Sequence, residues 1–339
     1  VIAIDEVLEA GAPPAVRAVE VGRSRQGRPV LGYRLGAGRR RVSLIAGCHA
    51  DEPVGPAMLD RLVAWLASLP ASAPAVAEVS WHVVPHTNPD GEARNAGWTE
   101  GLFDDPRNAD VDLAAYLRGA VREPPGDDVE FGFPHHSADR EARPENRAVA
   151  DFLRAAGGPF RLHASFHGMA FAAGPWFLIE RGWIERTGEE RERLRRRVRE
   201  LGYRLHDVDR GGEKGFSRID EGFTTRPDSR AMAAHFLDRG DPETAALFRP
   251  SSMEFVRSLG GDPLTLVSEM PLFLTPASFY RREELVRPPE VGELRRLAAS
   301  DPEELRSRAR ELDVRPMPVA DQMRLQLEFL SSGLAAALS

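Results

Sequence analysis

With 339 residues and a formal charge of −7, the chain is long enough for one large α/β domain or two smaller ones. It has none of the basic surplus of a general nucleic-acid binder. A hydrophobic content of 42% excludes a disordered chain, and the single cysteine, Cys48, excludes an intrachain disulfide. No run of about 18 apolar residues exists to span a membrane. Val1 to Ala10, carrying Asp5, Glu6 and Glu9, lacks the basic-then-apolar layout of a signal peptide, so the expectation is a cytoplasmic protein unless a signal was trimmed ahead of Val1. The basic residues are nearly all arginine, Lys214 being the lone lysine, a bias of composition rather than of function.

In chain order, residues 41–47 form a β-branched apolar run closed by Gly47 and read as a buried strand. Residues 53–69 follow with Met58, Leu59, Leu62, Val63, Trp65 and Leu66 at helical spacing. A Pro/Ala-rich loop over 70–77 leads to a second strand at 80–85, which runs into the turn signal Asn88-Pro89-Asp90-Gly91. Residues 92–136 read as irregular site-building loops, and 144–155 as a helix with Val149, Phe152 and Leu153 on one face. Strands are expected at 161–166, 176–179 and 264–270, with a charged, solvated helix at 185–201 between the last two. Two short helices divided at Ser300-Asp301-Pro302 fill 291–312, and a longer amphipathic helix fills 321–338.

This alternation predicts an α/β fold, a mixed, largely parallel central sheet with helices on both faces. Residues 1–285 are expected to form the catalytic domain and 286–339 a helical extension packed on it. Ligands of such sheets bind beyond the carboxyl ends of strands. His49, Asn88, His167 and Glu269 all fall at or just after predicted strand ends, which points to one shared site.

Within Gly47-Cys48-His49-Ala50-Asp51-Glu52-Pro53-Val54-Gly55, the three-residue spacing lets the His49 imidazole and the Glu52 carboxylate converge on one cation. A catalytic zinc commonly takes three N/O ligands and leaves a fourth position open. His167, closing a strand and followed by Gly168, is the natural third ligand. A charged residue inside Leu264-Thr265-Leu266-Val267-Ser268-Glu269-Met270 is costly to bury unpaired, which places Glu269 at a cleft. His86 reads as structural and the pair His135-His136 as surface-exposed.

These motifs, in this order, resemble the zinc carboxypeptidases of the carboxypeptidase A type. The resemblance runs from about Val21 to Leu274. It rests on the opening Val21-to-Leu31 pattern, the His49/Glu52 motif, the intact Asn88-to-Gly91 turn, the helix entered at Pro144, His167 and Glu269. It implies one Zn2+ per chain held by His49, Glu52 and His167, with Glu269 as general base. It further implies an oxyanion arginine, for which Arg107 and Arg94 are the alternatives. The implied substrate is a peptide or an acylated amino acid, with no nucleic-acid or membrane partner, and the site residues extend to Asn88. One departure concerns the family's Asn-Arg pair, which reads the substrate's terminal carboxylate after an Asp-Leu or Asp-Ala. Here Asp112-Leu113 is followed by Ala114-Ala115, and Arg118 and Arg122 are the candidates to take over that carboxylate. The implied activity is therefore a peptidase or amidase. An N-acyl amino acid deacylase of the desuccinylase type and a zinc-binding, non-catalytic relative are the alternatives.

Overall fold

The structure, a computed structural model, describes residues 2–11, 13, 17–280 and 288–338. Ten strands form one mixed sheet: β1 (Ala18–Arg23), β2 (Pro29–Leu35), β3 (Arg40–Ala46), β4 (Val79–Val84), β5 (Leu162–Ala172), β6 (Trp176–Ile179), β7 (Arg218–Asp220), β8 (Phe223–Thr225), β9 (Leu264–Leu274) and β10 (Arg315–Pro316). Their order is β1-β2-β4-β3-β5-β9-β6-β8-β7, with β10 added to β9. The centre, β4-β3-β5-β9, is parallel, whereas β1–β2, β2–β4 and β6–β9 are antiparallel. The sheet is thus mixed as expected, with its parallel pairing in this centre and in β6–β8.

The chain leaves β3 through the helix Val54–Ser68 and returns as β4 on one side of it, then passes through the helix Pro144–Arg154 and returns as β5 on the other. That reversal opens a crevice at the carboxyl end of β3, the usual place for a site in such sheets. Val54–Ser68 and the C-terminal helix Val319–Leu338 share one core with the outer face of β5 and β9, through Met58, Leu62, Leu162, Leu266, Leu325 and Leu330. The helices Pro144–Arg154 and Ser252–Ser258 cover the opposite face with Val149, Phe152, Leu153, Phe255 and Val256. A fully buried Leu, Val or Met side chain contributes roughly 1.5–3 kcal/mol, so these two layers hold the strands in register. The expected boundary at residues 285/286 lies outside the described residues. Among the described residues, no helix is long and apolar enough to cross a membrane.

Two differences from the sequence reading matter for the site. Asn88 opens a helix, Pro89–Thr99, because its side chain accepts the Gly91 N–H at 2.9 Å while Pro89 occupies the first helical position. Asp90 in that helix accepts Ser24 Oγ at 2.7 Å, Gln26 N at 3.0 Å and Arg28 Nη1 at 2.9 Å, which pins the β1–β2 turn onto it. A further helix, Leu113–Gly119, stands in the stretch read as loop. The second difference is that β5 and β9 run several residues past the positions where the sequence ends them, so His167, expected just after a strand, lies within one, and Glu269 is no longer near a strand end.

His163 is fully buried between Ser43 Oγ at 2.8 Å and Ser252 Oγ at 3.0 Å. Burial, aided by the charge of Arg226, pushes its pKa down to about 3 from an ordinary 6.5. The unfolded chain therefore takes up a proton there that the folded chain refuses, and stability falls as pH drops from 6.5 toward 3. Each such group adds a slope of about 1.4 kcal/mol per pH unit. Urea unfolding at pH 7, 6 and 5 should show this decline, and His163→Gln should flatten it by about one proton; an unaltered slope would exclude His163 as a source.

Candidate metal centre and active site

The turn that follows β3 is shaped by two close approaches. Gly47 has φ +68°, and a Cβ there would meet His86 Nδ1 at 2.7 Å; a Cβ on Gly55 would meet the Phe166 carbonyl oxygen at 2.6 Å. Between these glycines the turn presses His49 and Glu52 inward, and both are buried. Phe166 pairs with Ala46, the last residue of β3, so His167 is the first residue of β5 beyond the end of that strand. His167 therefore faces the turn.

Glu52 Oε1 lies 2.8 Å from His49 Nδ1, Glu52 Oε2 lies 3.0 Å from His167 Nδ1, and the two Nδ1 atoms are 3.2 Å apart. Tetrahedral zinc with ligand bonds of about 2.0–2.1 Å sets its donors about 3.3–3.4 Å apart. The three donors stand slightly inside that spacing, and their N, N, O chemistry suits the metal. Burial opposes ionisation of Glu52, yet His49 and Arg122 hold its carboxyl well below the usual range. Burial and Arg122 act against a charged His49, but Glu52 and Glu130 prevail and raise it well above its ordinary value. The pocket thus favours positive charge at its centre.

Both imidazoles are oriented from behind. His49 Nε2 meets Glu130 Oε2 at 3.0 Å and His167 Nε2 meets Ser165 Oγ at 2.7 Å, which leaves each Nδ1 directed at the shared centre. Outer partners of this kind fix the tautomer and raise ligand basicity. Neither was found in the sequence reading, although signals existed. Ser165 is two residues before His167 and so on the same strand face, and Glu130 is a lone charge between Val129 and Phe131.

Glu269 pairs in register with His167 across β5–β9, so the two side chains emerge side by side on one face. Burial and the nearby charge of Glu52 push its pKa up to about 8. Arg122 stands at the same centre: Nη1 bonds Glu52 Oε1 at 2.9 Å and Asp51 Oδ1 at 3.3 Å, and its side chain remains 43% exposed. Burial would lower its pKa, but Glu52, Asp51 and Glu269 raise it further.

Other sequence candidates lie elsewhere. Arg107 is exposed and 3.6 Å from Asp105, so it is not at the centre. Arg94 binds the buried Glu123. Arg118 is exposed and donates to the Ala298 carbonyl at 3.4 Å, toward the C-terminal helices rather than the cleft. Asn88 is wholly buried, with Oδ1 used as the helix cap and Nδ2 given to Glu123 Oε1 at 2.9 Å, so both its polar atoms are engaged in structural bonds. Asp112 caps its own helix through Ala115 N at 2.6 Å. His86 receives the Asn88 N–H at 3.2 Å, and His135 and His136 are exposed.

A model of the zinc carboxypeptidase family matches residues 3–205. Zinc carboxypeptidase A 1 of Anopheles gambiae is 31% identical over 172 residues, covering 46% of this chain and 38% of its own. Carboxypeptidase A6 of Mus musculus is 31% identical over 182 residues, covering 47% and 39%. The chain thus spans well under half the length of these curated relatives. Among solved structures, a Shewanella amazonensis SB2B protein bearing a provisional metallopeptidase label aligns with a TM-score of 0.51 at 14% identity, covering 98% of this chain and 88% of that one. That likeness is one of fold. The family match ends before β9, so the placement of Glu269 rests on register and burial.

Purified protein should bind close to one zinc per chain by elemental analysis, and His167→Ala should lose it. Glu130→Gln should keep the site but weaken zinc affinity by about 10- to 100-fold in a chelator competition. Unaltered affinity would remove Glu130 from the centre.

Proposed function

This chain belongs to the zinc carboxypeptidase family, and on that premise we propose that it hydrolyses peptide or amide bonds with zinc held by His49, Glu52 and His167. The observation that carries the reading is the register pair His167–Glu269, which sets a buried carboxylate beside the cluster of donors. Bound zinc supplies Lewis acidity toward the scissile carbonyl and lowers the pKa of water toward ~7.

Glu269 takes the proton of the attacking water and hands it to the leaving amine. Its elevated pKa suits both halves of that transfer, since a base poised near the working pH accepts and releases a proton with little bias. Arg122 meets the negative charge that develops on the carbonyl oxygen. One of its nitrogens is engaged by Asp51 and Glu52, while the exposed remainder of the guanidinium stays free to donate. Arg122 thereby takes the role that the sequence reading divided between Arg107 and Arg94.

Glu269→Gln should lower kcat by about 10²- to 10⁴-fold with zinc retained. Arg122→Ala should cost about 10²- to 10³-fold, whereas Arg107→Ala should leave kcat as it is. The assay should pair peptides carrying free C-termini with N-acyl amino acids. Hydrolysis of neither set, or full activity in Glu269→Gln, would overturn the reading.

A further inference from the structure

We propose that Asp51, braced by Tyr116, is the positioning residue that sets the Arg122 guanidinium for catalysis; this rests on the role given to Arg122 above. Asp51 lies between the ligands His49 and Glu52 in sequence but is not part of the donor group they form with His167. Its two oxygens are divided: Oδ1 accepts Arg122 Nη1 at 3.3 Å and Oδ2 accepts the Tyr116 hydroxyl at 3.1 Å. Asp51 is buried, and a carboxylate buried there is tolerated only when donors such as these meet it.

Tyr116 is itself immobilised. It is buried on the helix Leu113–Gly119, edge-on to Trp98 with ring centroids 5.1 Å apart, and packed against Phe273 at 5.6 Å. The helix is capped by Asp112. A rigid path therefore runs from helix to phenol to carboxylate to guanidinium. Arg122 needs such a path because its side chain is long, 43% exposed and carried on a segment, 120–124, without helix or strand. Glu52 alone cannot hold it, since that carboxylate is shared with both histidines.

Chemistry separates positioning from simple neutralisation. Asparagine has one acceptor oxygen where aspartate has two, so in Asp51→Asn the contact with Arg122 loses its charge and Tyr116 can be met only by reversing its hydrogen bond, the amide donating to the phenol oxygen. Misplacement of a catalytic group by about 1 Å can cost about 100-fold in rate.

The test measures kcat, KM and bound zinc for Asp51→Asn, Tyr116→Phe and Arg122→Ala, then adds millimolar guanidinium chloride to Arg122→Ala and to Arg122→Ala/Asp51→Asn. The expected result is a kcat per bound zinc lowered about 10- to 100-fold in Asp51→Asn. KM should hold steady and the loss in Tyr116→Phe should be smaller. Guanidinium should restore activity to Arg122→Ala more than to the double variant, where its seat is gone. Wild-type kcat per bound zinc in Asp51→Asn would overturn the proposal, as would a deficit confined to zinc content. Equal rescue in both backgrounds would also overturn it. Wild-type kcat in Arg122→Ala would instead overturn the reading beneath it, and the proposal with it.

Discussion

A single buried carboxylate, Glu52, ties the site together. Oε1 is shared by His49 Nδ1 and Arg122 Nη1, and Oε2 is taken by His167 Nδ1. A carboxylate in this position is stable only when each oxygen is met by positive or donating groups. Three separate parts of the chain must therefore arrive together: the turn after β3, the continuation of β5, and the segment that carries Arg122. The same demand explains the direction of the shifts around it. Glu52 stays ionised, and the charge it keeps draws protons, or a cation in their place, onto the imidazoles.

The sheet supplies the precision that this cluster requires. β3 stops opposite Phe166, and β6 begins opposite Glu269, so both neighbours give way where β5 and β9 continue as a pair. His167 and Glu269 thus stand at a step in the sheet, open to the cleft on one face and backed on the other by the core of Leu162, Ala164, Leu266 and Met270. Their separation is fixed by strand spacing, about 4.8 Å, rather than by loop conformation. The proposed base on one strand, beside the proposed ligand on the next, cannot drift without breaking the ladder.

Much of this was legible locally. Short range sufficed for β3, for the helix after it and for the donors His49 and Glu52, because their signals lie within about ten residues. Glu269 stood out as a charge within an apolar run. The same reasoning failed for strand length, since Pro271 looks like a strand end. It is accommodated because β6 stops at Glu269 and β10 begins only at Phe273, so no ladder partner is demanded of it on that side. Asn88-Pro89-Asp90-Gly91 serves equally as a turn or as cap and first turn of a helix, and only the structure shows the latter. Arg122 was singled out only as a candidate carboxylate reader, and Glu130 not at all, for another reason. They lie in stretches without periodicity, and their partners are some 70 and 80 residues earlier, so nothing nearby distinguishes Arg122 from the many other arginines.

The C-terminal helix bears on the same question of reach. The family match ends at residue 205, yet the core does not: Leu325, Leu327 and Leu330 pack with Leu162, Ala164 and Leu266 beneath the site. Gln326, fully buried among them, donates Nε2 to the His167 carbonyl at 3.3 Å. A buried amide in an apolar layer is costly unless it is bonded, and its partner here is the backbone of a proposed metal ligand. Val319–Leu338 therefore does more than shield the sheet. It steadies the strand that carries His167 from the face opposite the cleft, so the position of that imidazole depends on a segment more than 150 residues away.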